Sequence, residues 1–130
     1  MLPHRLKRLI TIEHTKLSFI VLILYCGLIF FLSSLSQIEL PSSVINFDKL
    51  LHISAYSVLG FLSYQTFINY KKESRTFISI IIPFVFSLLY GISDEIHQSF
   101  VPGRESDVYD VITDAIGIII GIFIYRRFII

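Results

Sequence analysis

With 130 residues, 54% of them hydrophobic and only 16% charged, the chain has too little polar side chain to cover a soluble domain of its size. Its 11 Lys and Arg against 10 Asp and Glu leave a net charge of +1, so no basic field marks a nucleic-acid partner. A single cysteine, Cys26, excludes an intramolecular disulfide and a cysteine-based metal site.

The charges that exist are spaced as in a polytopic membrane protein. Between Lys16 and Glu39 lie 22 uncharged residues, Leu17 to Ile38, enough to cross a hydrocarbon core of about 30 Å at about 1.5 Å per residue. This run predicts the first span. A basic stretch precedes it, but no A-x-A-like cleavage site follows, so it reads as an anchor rather than a signal peptide. Leu50 to Tyr70, with His52 its only ionisable residue, predicts a second span, and Thr76 to Ser93 a third, kinked near Pro83. The last uncharged stretch, Ala115 to Tyr125, has only 11 residues. At about 1.5 Å each it reaches roughly halfway across. A fourth span must therefore start near Asp107, which puts Asp110 at the interface and draws Asp114 into the slab. The joins are a turn over Asn69 to Arg75, a polar loop over Ser36 to Phe47 containing Pro41, and a Pro102-Gly103 turn within Gln98 to Ser106.

Nine basic residues fall on the side of the termini and two, Lys49 and Arg104, on the other. By the positive-inside rule both termini are cytoplasmic. The expected architecture is an all-α membrane protein of four transmembrane helices. A basic cytoplasmic segment, residues 1–16, precedes a membrane domain over 17–130.

Helical spacing sorts the polar residues into stripes. Asp107, Asp110, Asp114, Gly117 and Gly121 follow one another by three or four residues and share a face of the fourth helix. Its Gly117-x-x-x-Gly121 is a helix-packing pattern. Asp48, His52 and Tyr56 lie one turn apart on the second helix. On the third, Pro83, Ser87, Tyr90 and Asp94 lead into Glu95, His97 and Gln98. The three stripes converge at one depth. Ionisable groups there are costly and usually mark a site, with His52 and Asp114 the clearest cases. The plainer readings are N-caps for Asp48 and Asp107, interfacial aromatics for Tyr56 and Tyr90, and a solvated loop residue for His97. Asp110 and Asp114, one turn apart, repel each other when both are charged, and such a pair can trade protons with His52 opposite. Arg104 is placed to fork onto a lipid phosphate or a carboxylate, or to pair with Glu95 or Asp107. Histidine with carboxylates suits zinc or manganese, yet no local motif such as H-E-x-x-H occurs, so neither a metal nor a cofactor is expected. Gly91-Ile92-Ser93-Asp94-Glu95 lacks the second glycine of a serine nucleophile elbow.

Two blocks of these residues resemble the VanZ-like family of small bacterial integral membrane proteins. The first is Asp48-Lys49-Leu50-Leu51-His52 with Tyr56 and Gly60. The second is Asp94-Glu95-Ile96-His97-Gln98-Ser99-Phe100-Val101-Pro102-Gly103-Arg104, followed by Asp110, Gly117 and Gly121. Together they cover residues 47–125. Asp114 stands where many members are expected to carry asparagine. The resemblance implies a multi-pass protein of the bacterial cell membrane, in an envelope context that includes glycopeptide (teicoplanin) susceptibility. The expected site is Asp48, His52, Tyr56, Asp94, Glu95, Gln98, Arg104, Asp110 and Asp114, with Gly117 and Gly121 packing helices beneath it. The cluster is expected to engage a lipid or peptidoglycan-precursor headgroup. The alternatives are an enzyme acting on that headgroup or a small proton-coupled transporter, the latter needing a homo-oligomer or partner to enclose a path.

Overall fold

An apolar segment out of water must satisfy its backbone within itself, and each of the four runs does so as a helix. The computed structural model describes residues 3–36, 45–72 and 76–130, with the side chains of 4–6, 8, 10, 45 and 46 outside that description. Its helices are α1 (His4–Ser33), α2 (Ile45–Lys71), α3 (Phe77–Gln98) and α4 (Val108–Phe128). The described residues contain no strand. The loop expected around Glu39 and Pro41, and the turn residues Glu73 to Arg75, lie outside the described residues.

The ends of the helices follow local chemistry. α3 is capped by Thr76, whose hydroxyl accepts from the Ser79 N–H, and continues unbroken through the buried Pro83. It runs beyond the uncharged stretch that ends at Ser93, so Asp94, Glu95, His97 and Gln98 are helical, as the polar stripe assigned to this helix anticipates. α4 is capped by Asp107, whose carboxylate accepts from the Tyr109 N–H at 2.9 Å, and Arg126 and Arg127 occupy its last turn. Asp48 is no cap. α2 begins at Ile45, three residues earlier, and leaves Asp48 within its first turn. α1 starts at His4, so residues 4–16 form the first turns of the same helix that continues through the first apolar run.

Within α1 the segment Thr11–Ser33, together with α3 and α4, is long and apolar enough to cross a membrane. α2 has the length, 27 residues, but carries more polar side chains. It packs against α1, α3 and α4, most extensively against α4, and several of its polar groups are spent on these neighbours. Ser63 Oγ lies 2.9 Å from Ser87 Oγ on α3, the Thr66 hydroxyl donates to the Ser18 carbonyl on α1, and the Tyr25 hydroxyl of α1 donates to the Ala55 carbonyl. Large apolar residues such as Ile23, Leu24, Phe77, Ile119 and Phe123 face outward while Ser79, Ser87, Asp94 and Asp114 are buried. That distribution inverts the soluble pattern and suits lipid surroundings.

The tightest seam joins α2 and α4, where glycines let two backbones meet. A methyl at Gly117 would stand 2.5 Å from the Ile53 carbonyl, one at Gly60 would stand 2.5 Å from the Ile118 carbonyl, and one at Gly121 would run into the Ser57 carbonyl. Around this seam Leu59, Ile118 and Ile122 form the apolar core, with Tyr64 and Tyr125 edge to face at 5.5 Å.

Candidate functional site

Because α2 and α4 are so close, the acids on α4 meet the cations on α2. Lys49 reaches across to Asp107 at 2.9 Å and also pairs with Asp110. The Lys49 ammonium, and behind it the Tyr109 N–H, hold the exposed Asp107 carboxyl below its ordinary range. One turn deeper, His52 Nδ1 lies 2.9 Å from Asp114 Oδ1, with the histidine side chain 10% exposed and the aspartate fully buried. Asp110 and Asp114, one turn apart, thus face different groups across the seam. Each has its own partner on α2.

α3 closes the third side. The Tyr56 hydroxyl donates to Asp94 Oδ2 at 3.2 Å and the Gln98 amide donates to the same oxygen at 3.0 Å. Tyr56 is therefore a buried link between helices rather than an interfacial aromatic, its ring parallel to that of His52 at 6.3 Å. Glu95 Oε2 accepts the Asp107 N–H at 3.2 Å, so one carboxylate ties the end of α3 to the start of α4. Its other oxygen, Oε1, and Asp114 Oδ2 are buried without a hydrogen-bond partner among the described residues. An unsatisfied buried acceptor costs about 1–3 kcal/mol, and a charged one more.

Two expected roles change. Arg104 forms an ion pair with neither Glu95 nor Asp107. Its Nε and Nη2 donate to the Leu35 and Leu32 carbonyls at 3.0 Å each, where α1 ends, and Nη1 reaches Gln98 Oε1 at 3.4 Å. It therefore completes the terminus of α1, where a cation complements the exposed carbonyls. His97 is a half-buried helical residue with Nε2 2.9 Å from Ser34 Oγ and its ring against Phe30. Tyr90 likewise has a fixed role, its hydroxyl donating to the Cys26 carbonyl at 2.5 Å. Ser93 is exposed and donates to the Tyr90 carbonyl of its own helix.

Two further residues shape the site without having been expected there. Lys49 counted in the sequence as an outer charge and a motif position, yet it joins two acids. Gly91 was noted only as part of an incomplete elbow; a methyl on it would stand 3.0 Å from Asp114 Oδ2 and 3.1 Å from the Tyr56 ring. Its signal was present, because it lies three and four residues before Asp94 and Glu95 on the polar face of α3. Among the described residues, Asp48, His52 and Asp110 bring one ligand atom each within 4.8 Å of one another, and so do His52, Glu95 and Asp114.

A small helical membrane protein with a polar cluster at one end of its bundle is the class that fold and site define. The chain belongs to the VanZ/LLP1 family, whose model matches residues 17–130. No curated protein and no solved structure matches it.

Proposed function

We propose that this VanZ-like membrane protein crosses the membrane four times, with α2 as the interior span and both termini cytoplasmic, and works at the outer end of the bundle. There the cluster engages the headgroup of an envelope lipid or a peptidoglycan precursor, and glycopeptide susceptibility is the phenotype that follows. The observation that carries this reading is the convergence of Asp48, His52, Asp94, Glu95, Asp110 and Asp114 from three helices onto one end, where close packing alone would favour apolar residues. The nine-to-two basic asymmetry supports the orientation.

The reading is tested by native mass spectrometry of the purified protein offered phosphatidylglycerol, phosphatidylethanolamine and a lipid-linked peptidoglycan precursor in turn. The parent should retain one headgroup class above the others, and Asp94→Asn should weaken that retention. Equal retention of all three by the parent would refute headgroup recognition. Release of a cleaved headgroup over time would make the cluster catalytic.

A further inference from the structure

We propose that His52, Glu95 and Asp114 hold a single divalent transition-metal ion of the zinc or manganese class. One ligand atom from each of the three lies within 4.8 Å of the other two. Convergence of acids alone proves little, since carboxylates gather for many reasons. The independent sign is that, among the described residues, Glu95 Oε1 and Asp114 Oδ2 have no hydrogen-bond partner, although Glu95 is 4% exposed and Asp114 0%. Native interiors rarely leave such acceptors unmatched, and an ion is one of the few partners able to serve both.

The spacing of the closest pair fits coordination. With bonds of about 2.1 Å, neighbouring ligand atoms lie ~3.0 Å apart at a right angle and ~3.4 Å apart at a tetrahedral angle. His52 Nδ1 and Asp114 Oδ1 are 2.9 Å apart, and an ion bound there displaces the proton that otherwise joins them. Charge fits as well. Two ionised carboxylates and a neutral imidazole sum to −2, which a divalent ion cancels, so the filled site is neutral where a net charge would be costly. One nitrogen and two oxygens favour zinc or manganese over the all-oxygen shells of calcium and magnesium.

The ligands are also held from outside. Glu95 Oε2 is fixed by the Asp107 N–H, which orients Oε1. Gly117 sets the spacing of α2 and α4 beside Asp114, and Gly91 makes room for the Asp114 carboxylate against α3. All three ligands thus stand on rigid helices rather than loops. Three protein ligands leave at least one position open to an oxygen from outside. On the headgroup reading, that position receives a phosphate oxygen and gives an acid-rich cluster its means of holding an anion. The ion site does not depend on that reading; the phosphate step does.

The test uses full-length, tag-free protein purified in detergent without chelator. Metal content is measured by mass spectrometry, Zn2+ and Mn2+ are titrated by calorimetry, and Co2+ is titrated by visible absorption. The parent should take up about one ion per chain and give the ligand-field bands of low-coordinate Co2+. Glu95→Gln and Asp114→Asn, which keep shape, should each weaken binding by about tenfold or more. Glu105→Gln, an exposed acid outside the cluster, should leave it unchanged. Circular dichroism verifies that each variant is folded; if one is not, the other variant and the Co2+ bands of the parent decide. A folded parent that takes up no ion, or uptake indifferent to both substitutions, overturns the proposal. Headgroup retention measured with and without EDTA keeps the two readings apart. Retention by a parent that binds no ion sinks the ion and spares the headgroup, and an ion-binding parent that retains no headgroup does the reverse.

Discussion

Replacing Gly117 by alanine tests whether the α2–α4 seam and the polar cluster are one mechanical unit. The added methyl would stand 2.5 Å from the Ile53 carbonyl oxygen and 3.1 Å from the Ser57 nitrogen, both backbone atoms that cannot swing aside. Reaching 3.0 Å, the shortest separation that such carbons tolerate, requires the helices to part by 3.0 minus 2.5, or 0.5 Å. Overpacking of this kind costs about 1–3 kcal/mol. The same movement acts on His52 and Asp114, which bridge the same two helices three residues from Gly117. Their 2.9 Å separation would grow by that 0.5 Å to 3.4 Å, past the usual hydrogen-bond range. A charge-assisted bond of this type contributes about 1.5–3 kcal/mol. The two costs share one displacement and do not add fully, so the expected loss is about 2–4 kcal/mol. Gly27→Ala is the control, because nothing lies within 4 Å of a methyl at Gly27. Pulse proteolysis along an SDS titration should show Gly117→Ala unfolding well before the parent and Gly27→Ala close to it. Equal midpoints for both variants would show that α2 and α4 do not approach as described.

Orientation is open to cysteine labelling in a Cys26→Ser background. A thiol at the exposed Ser99 should react with an impermeant reagent on intact cells and one at the exposed Lys72 should not, and the opposite pattern would invert the assignment. The Lys49–Asp107 pair predicts a pH dependence. Because the folded Asp107 carboxyl titrates below its ordinary value of 3.8, its contribution is present above that value and lost as pH falls through the lower, folded one. Asp107→Asn should therefore lower the thermal midpoint at neutral pH, and the gap to the parent should narrow below pH 3.8. A gap that stays constant on acidification would mean that the charge of Asp107 contributes nothing to the fold.

Much of this protein follows from one-dimensional rules. Charge-free runs locate the helices because a chain leaving water must both shed charge and close its own backbone hydrogen bonds. The short last run forces α4 to start near Asp107, and helical periodicity alone puts Asp107, Asp110, Asp114, Gly117 and Gly121 on one face. Periodicity says which residues look in the same direction but not what they look at. That Asp110 meets Lys49 while Asp114 meets His52 depends on the register of α2 against α4, set where Gly60, Gly117 and Gly121 let backbones touch. α2 shows the same limit in its hydropathy. Tyr56, Ser63, Tyr64 and Thr66 read as polar until neighbouring helices bury them. Arg104 reads as a free cation because the carbonyls it serves, Leu32 and Leu35, lie about seventy residues away in the chain. The gathering of His52, Glu95 and Asp114 belongs to the same class. Each comes from a different helix, so no local spacing announces the group, and only the packing of three helix ends makes one imidazole and two carboxylates neighbours.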